Sequence, residues 1–356
     1  MKSFLPILLL ALALAGRAEN VPPTRLIWWS DLSAFTHETG DLHHHRLSPR
    51  ITPGFQWKEA VLSWNVPPDQ SLSIEARVIR GTQIGPWLGM GHWSADTNRA
   101  PRTSLRGQKN PDARVETDTL IVAEPADALE IRFRLPADSA GIDPIRAGVS
   151  FLGAHATETP PAPHPPAWGR FLDVPVRSQA DYPEGIQSWC SPTSLSMILA
   201  MWGGRLDRPD LIQDVRQVAR GVHDPGWPGT GNWSFNIAYA GQHPDLMSCV
   251  SRLGGIGDLE RWIDAGMPVA TSVSYAQLKG SPTPRSGDGH LVVVTGFTTN
   301  GAVRVHDPGV RKERVIRVVP REDFERAWNH SDRTAYLVWP AGHPLPSGGQ
   351  GRWPER

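Results

Sequence analysis

Residues 187–204 read Gln-Ser-Trp-Cys-Ser-Pro-Thr-Ser-Leu-Ser-Met-Ile-Leu-Ala-Met-Trp-Gly-Gly. Pro192 suits the first turn of a helix, where its missing N–H has no intrahelical partner to lose. Large apolar residues then recur at the spacing of one helix face: Leu195, Ile198, Leu199 and Trp202. Gly203-Gly204 ends the pattern. The stretch therefore predicts a helix with one buried face and Cys190 at its N-terminal mouth.

The position of Cys190 has chemical consequences. A thiol beside the unpaired N–H groups and the positive end of a helix dipole favours the thiolate, which is the nucleophilic form. The alternative interpretation is a small buried residue, because free cysteine is among the most buried residue types. A nucleophile also needs a base.

The candidate base is His290, which opens a β-branched run ending at Phe297. A second run leads to Asp307, and the Asn300-Gly301 turn between the runs predicts a hairpin. A tight turn pairs Asp307 with either Val292 or Val294. Both registers leave Asp307 and His290 on the same sheet face, so that Asp307 can orient the imidazole. Asp288 is the alternative orienting group. Cysteine, histidine and aspartate together form the cysteine version of a catalytic triad.

From Asp173 to Trp339 the chain resembles the papain-like cysteine peptidases of family thirty-nine, the bacteriocin-leader-peptidase type, in its secreted branch without a transporter. The resemblance rests on several pieces that match in order: Val174-Pro175-Val176 with Gln179, Trp189-Cys190-Ser191-Pro192-Thr193-Ser194, Gly231-Asn232-Trp233 with Ala238-Tyr239-Ala240, Gly289-His290, and Asp307-Pro308. Several ordered matches are far more specific than one.

The resemblance implies a role for each matching residue. Cys190 would be the nucleophile, His290 the general base and acid, and Asp307 the orienting group. An upstream glutamine would donate a side-chain hydrogen bond to the oxyanion. Gln179 matches that glutamine best, but residues 181–186 place it further from the cysteine than is usual, so Gln187 remains a second candidate.

The 356 residues divide into segments of different composition. Alternating apolar and polar residues with turn signals predict an all-β sandwich, whereas the later order of helices followed by strands predicts an α+β papain-like domain. We predict a signal peptide at 1–18, a β-sandwich at 21–153, a proline-rich linker at 154–170, the peptidase domain at 171–340 and a disordered tail at 341–356.

Composition restricts the partners. The 36 basic and 36 acidic residues balance, so no basic surface for nucleic acid or anionic membrane is indicated. The mature chain has no second long apolar stretch and hence no predicted membrane span. His43-His44-His45 is interpreted as a polar loop, because adjacent side chains in an extended segment alternate in direction. We expect neither a metal nor an organic cofactor.

These observations lead us to expect an exported cysteine peptidase, periplasmic or secreted, acting on a peptide or protein. Three tryptophans are candidates for contacting the substrate: Trp189, Trp227 and Trp233. One alternative is a cysteine-dependent amidase or transpeptidase acting on cell-wall peptides. Another is a non-catalytic envelope protein that binds peptide or glycan through its tryptophan-rich domain. A third is a structural protein stapled by a Cys190–Cys249 disulfide.

Overall fold

The computed structural model describes residues 20–40, 43–137 and 145–354. The predicted signal peptide lies outside the described residues. The chain forms an N-terminal all-β domain and a C-terminal α+β domain, as predicted.

The N-terminal domain consists of two antiparallel sheets. Its strands among the described residues are β1 (Thr24–Trp29), β2 (Thr36–Thr39), β3 (His43–Leu47), β4 (Trp57–Asn65), β5 (Ser71–Arg80), β6 (Gln83–Ile84), β7 (Leu88–Ser94), β8 (Ala113–Glu116), β9 (Thr119–Ala126), β10 (Ala128–Pro136) and β11 (Arg146–Gly153). One sheet has the order β1-β11-β4-β9-β8, and the other has the order β2-β3-β10-β5-β6 with β7 also paired to β5.

Alternating burial along the strands explains the sandwich. On β5, Leu72, Ile74 and Ala76 are buried while their neighbours are partly exposed, so each strand presents one apolar face to the core. Trp57, Trp64 and Trp93 fill that core. These tryptophans therefore pack in the domain interior, where no glycan can reach them.

The C-terminal domain packs helices against one antiparallel sheet with the order β12-β17-β13-β14-β15-β16. Its helices are α1 (Cys190–Arg205), α2 (Val215–Val222), α3 (Trp233–Gly241), α4 (Ile256–Asp264), α5 (Tyr275–Leu278) and α6 (Arg321–Asn329). Its strands are β12 (Leu246–Arg252), β13 (Val269–Ser274), β14 (Gly289–Phe297), β15 (Val303–His306), β16 (Ile316–Val319) and β17 (Thr334–Pro340).

The two domains share one continuous core. At their junction Asn65 donates from Nδ2 to the Ser248 carbonyl at 2.9 Å and accepts from the Ser248 N–H at 2.9 Å. The proline-rich segment 154–170 packs along α4, where Trp168 Nε1 donates to Glu260 at 2.7 Å. The domains are therefore in direct contact rather than held apart by this segment.

The prediction of a disordered tail is wrong for the described residues 341–354. Trp353 is buried against Trp262, and its Nε1 donates to the Pro346 carbonyl at 2.7 Å. Arg352 is also buried and forms an ion pair with Glu158. One aromatic and one paired arginine thus fix a segment whose glycine and proline content indicated disorder. No helix of the described chain is long and apolar enough to cross a membrane.

Candidate active site

Cys190 is the first residue of α1 and is half-buried. Two side chains of the same helix tie its N-terminus to the sheet. The Ser191 hydroxyl shares a hydrogen bond of 2.9 Å with the Tyr336 hydroxyl on β17, and Ser194 Oγ donates to the Leu291 carbonyl on β14 at 3.2 Å. The mouth of the helix is thereby fixed beside the strand that carries His290.

His290 meets Asp307 across the β14–β15 hairpin. The pairing of Val293 with His306 places the next residue, Asp307, opposite Val292, which is the first of the two predicted registers. His290 Nε2 lies 2.8 Å from Asp307 Oδ1, and both side chains are buried. Nε2 donates to the carboxylate, which leaves Nδ1 for the thiol.

The thiol and the imidazole shift each other's protonation. Burial lowers the pKa of His290. The hydrogen bonds to Asp307 and Cys190, together with the negative charges of these groups, outweigh that effect and raise the pKa to about 9. Burial raises the pKa of Cys190, but the hydrogen bond and charge of His290, helped by the N–H groups of Leu291 and Ser191, bring it below its ordinary value. Both shifts therefore favour the pair of thiolate and imidazolium over the pair of neutral thiol and neutral imidazole.

Asp307 is held by more than His290. Arg317 Nη1 donates to its Oδ2 at 2.6 Å, and the Gly309 N–H donates to its Oδ1 at 2.9 Å. Burial raises the pKa of Asp307, but these partners and His290 lower it below its ordinary range. Arg317 was not predicted from the sequence, and the pairing of Val305 with Arg317 on β16 brings it into place. The one feature of the sequence that could have indicated its role is that Arg317 is the single charged residue of the otherwise apolar strand β16.

The imidazole is enclosed on its remaining sides. The Tyr275 ring lies over it with centroids 4.3 Å apart. Gly309 approaches so closely that an added Cβ would lie 2.8 Å from His290 Cε1. These contacts restrict the ring to the plane that reaches both Asp307 and Cys190.

Gln179 is buried in the loop beside this hairpin. Its backbone N–H donates to the Pro308 carbonyl at 3.0 Å, and its side-chain Nε2 donates to the Ile186 carbonyl at 2.7 Å. One hydrogen of the Gln179 amide is therefore used within the loop, and the other makes no hydrogen bond among the described residues. Gln187 is exposed.

The other candidates occupy different positions. Trp189 is half-buried and packs against Tyr182, with ring centroids 5.9 Å apart. Trp227 is 46% exposed, whereas Trp233 begins α3 and lines a cavity next to Gly289. Asp288 accepts from Ser274 Oγ and the Ala276 N–H, both at 2.9 Å, and so caps α5 instead of orienting His290.

The disulfide alternative disagrees with the structure. Cys190 and Cys249 are both free, and Cys249 is buried within β12, where burial raises the pKa of its thiol. The described part of the chain contains no cluster of three histidine, cysteine, aspartate or glutamate residues suited to a metal.

Two family models match the chain. Residues 171–336 match the Peptidase C39-like family, and residues 36–156 match the Peptidase C39 N-terminal domain. A solved structure of a Bacillus anthracis protein assigned as a C39-like peptidase is 21% identical, with a TM-score of 0.37, and the match covers 47% of this chain and 94% of that one. No functionally curated protein matches the chain significantly.

Proposed function

Because this chain belongs to the peptidase C39-like family through its C-terminal domain, we propose that it is a cysteine peptidase that hydrolyses peptide bonds. The observation that carries the proposal is the buried hydrogen bond of 2.8 Å between His290 and Asp307, beside a cysteine whose pKa is lowered by that histidine. Groups whose pKa values are shifted by burial together with a specific charged partner cluster at functional sites.

In the proposed reaction the Cys190 thiolate attacks a peptide carbonyl. The resulting oxyanion is stabilised by N–H groups at the mouth of α1 and by the free amide hydrogen of Gln179. The His290 imidazolium protonates the departing amine, and the neutral imidazole then activates the water that releases the acyl group. Asp307 keeps Nε2 protonated throughout, so that Nδ1 carries the mobile proton.

The N-terminal residues 1–18 have the pattern of a signal peptide, and we propose that the enzyme acts outside the cytoplasm, in the periplasm or after secretion. Its substrate would be a peptide or protein, or a cell-wall peptide if the enzyme is an amidase or transpeptidase. Those alternatives share all of the catalytic residues and differ only in the groove.

The proposal is tested by mass spectrometry of two substrate pools, a proteome-derived peptide library and purified muropeptides, incubated with the protein and with its Cys190→Ala variant. New termini in the library that depend on Cys190 support the peptidase. Cleavage or cross-linking of muropeptides alone supports the cell-wall alternative. If both pools remain unchanged, or change equally with the Cys190→Ala variant, the proposed function is wrong.

A further inference from the structure

A cavity of about 320 Å³ opens at the start of β14, the strand that carries His290. Gly289, the residue before His290, forms part of its wall, and Trp233 forms another part. The cavity therefore adjoins the strand residue that precedes His290, and a peptide bound at Cys190 is the ligand we consider for it.

The N-terminal domain supplies the opposite wall. Glu59 on β4 and Glu116, Thr119 and Ile121 from the β8–β9 hairpin all line the cavity. The hairpin turn is tight, since β8 ends at Glu116 and β9 begins at Thr119, and it places Asp118 at the tip. The cavity thus exists only where the two domains meet.

The position of this wall is fixed relative to the nucleophile. The buried carboxylate of Asp118 accepts a hydrogen bond from the Trp233 N–H, and Thr119 Oγ1 donates to the same carboxylate at 3.1 Å. In the loop that leads into α3, Thr230 Oγ1 donates to the Ser188 carbonyl at 2.9 Å, two residues before Cys190. The hairpin, Trp233 and the helix mouth therefore form one connected unit.

The charges on the lining do not cancel. Glu59 is paired with the buried Arg252 at 2.7 Å, so this pair is neutral overall. Glu116 and Asp332 are further carboxylates on the lining, and the remaining titratable lining group is His330. Glu116 contacts Arg114, but both side chains are largely exposed, at 59% and 45%, so water screens that pair and leaves Glu116 open to another cation.

Apolar surface lies beside this negative charge. Ile121 and Trp233 face the same cavity and match the hydrocarbon stem of a lysine or arginine side chain, whose charged end would reach Glu116. We propose that this inter-domain cavity is a substrate subsite for a peptide side chain with a cationic end, and that Glu116 determines the specificity. The inference rests on the proposed peptidase function, and it gives the N-terminal domain a role in substrate selection.

The test uses peptidyl vinyl sulfones that carry lysine or the neutral norleucine at one of the three positions nearest the electrophile. The rate of Cys190 modification is measured by intact-protein mass spectrometry for the wild type and for Glu116→Gln. Glu124→Gln is the matched control, because Glu124 is an exposed carboxylate on the same hairpin that does not line the cavity.

We expect lysine to be preferred over norleucine at one position by about fivefold, as a single partly exposed ion pair can supply. The preference should fall to about one in Glu116→Gln and persist in Glu124→Gln. When Cys190 of the wild type reacts measurably, equal rates for the two peptides, or a preference that survives Glu116→Gln, would overturn the inference.

Two further measurements separate this inference from the peptidase proposal. Iodoacetamide, which needs no subsite, reports whether Cys190 is a nucleophile at all. Fluorescence anisotropy of the same lysine and norleucine peptides on the Cys190→Ala variant reports binding in the absence of chemistry. If Cys190 is inert but the lysine peptide still binds more tightly, the peptidase proposal fails, whereas the preference of the cavity for a cationic side chain is supported. If both peptides bind the Cys190→Ala variant equally, the subsite inference is wrong, and the peptidase proposal is unaffected.

Discussion

Arg317 and His290 bind opposite oxygens of one buried carboxylate, at 2.6 Å to Asp307 Oδ2 and 2.8 Å to Asp307 Oδ1. The arginine fixes the aspartate on the side away from the imidazole. A carboxylate held in this way cannot rotate out of contact with His290 without losing a charge-assisted hydrogen bond. Arg317 is therefore a positioning residue of the site.

Replacing Arg317 by Gln should lower the free energy of unfolding by about 1–3 kcal/mol, because one partner of a buried carboxylate is lost. It should also raise the pKa of Asp307 and so move the acidic limb of Cys190 alkylation to higher pH. Urea titration and the pH profile of alkylation measure the two effects. Arg317→Lys should restore part of the stability and part of the pH profile. Arg314→Gln removes the same charge at an exposed position and should change neither the stability nor the pH profile. An unaltered pH profile in Arg317→Gln would remove the positioning role.

Gly309 tests how closely the imidazole is confined. The Cβ of Gly309→Ala would lie 2.8 Å from His290 Cε1 and 3.1 Å from Nε2, so the ring must move. A displacement of about 1 Å can lower a rate by roughly 100-fold, and we expect a loss of that order in Cys190-dependent hydrolysis. Gly204→Ala is the control, since its Cβ would have no atom within 4 Å. Equal activity of the two variants would show that the ring is not confined by Gly309.

Asp118 gives a pH-dependent contribution to stability. Burial raises its pKa to about 6, above the ordinary 3.8, against the opposing hydrogen bonds from Trp233 and Thr119. Between these values the folded state holds a proton that the unfolded state has released. The protonated Asp118 side chain therefore contributes its full amount to the stability of the folded state below about pH 4, and this contribution is lost as the pH rises through 6.

Thermal or urea unfolding of the wild type and Asp118→Asn across pH 4–7 measures this contribution. As the pH rises from about 4 to 6, the free energy of unfolding of the wild type should fall relative to that of Asp118→Asn. A constant difference across that range would mean that Asp118 titrates normally.

Asp224 connects the loop before α3 to the N-terminal domain. Its Oδ1 accepts from the Ser104 N–H and the Gly226 N–H at 2.9 Å, and its Oδ2 accepts from Asn232 Nδ2 at 2.9 Å. Asp224→Ala should cost about 3 kcal/mol of unfolding free energy, because buried donors lose a charged acceptor. Exposed Asp69→Asn should cost almost nothing. Proteolysis should then cut first in the loop that Asp224 holds, and cleavage elsewhere would argue against this role.

The sequence was most informative where the candidate catalytic residues lie within a single helix or a single hairpin. Helical periodicity placed Cys190 at a helix mouth, and the Asn300-Gly301 turn predicted a hairpin whose two possible registers both put Asp307 on the sheet face of His290. Both are short-range features, because a helix face and a hairpin register are determined within about twenty residues.

Contacts between distant segments could not be predicted. Arg317 reaches Asp307 only through the pairing of β15 with β16, and Asp118 reaches Trp233 across a domain boundary. The tail was misjudged for the same reason. Its composition predicts disorder, whereas the burial of Trp353 depends on Trp262, which lies about ninety residues earlier.

The central claim is that Cys190 is a thiolate maintained by His290, and the pH dependence of its alkylation tests it most directly. Brief iodoacetamide treatment at pH 5–9, followed by peptide mass spectrometry, compares the wild type with His290→Ala. We predict rapid labelling of Cys190 at pH 6, well below the ordinary thiol pKa, and no labelling of the buried Cys249. The His290 variant should react only as the pH approaches 9. A Cys190 that is inert at pH 6, or equally reactive without His290, would contradict the account.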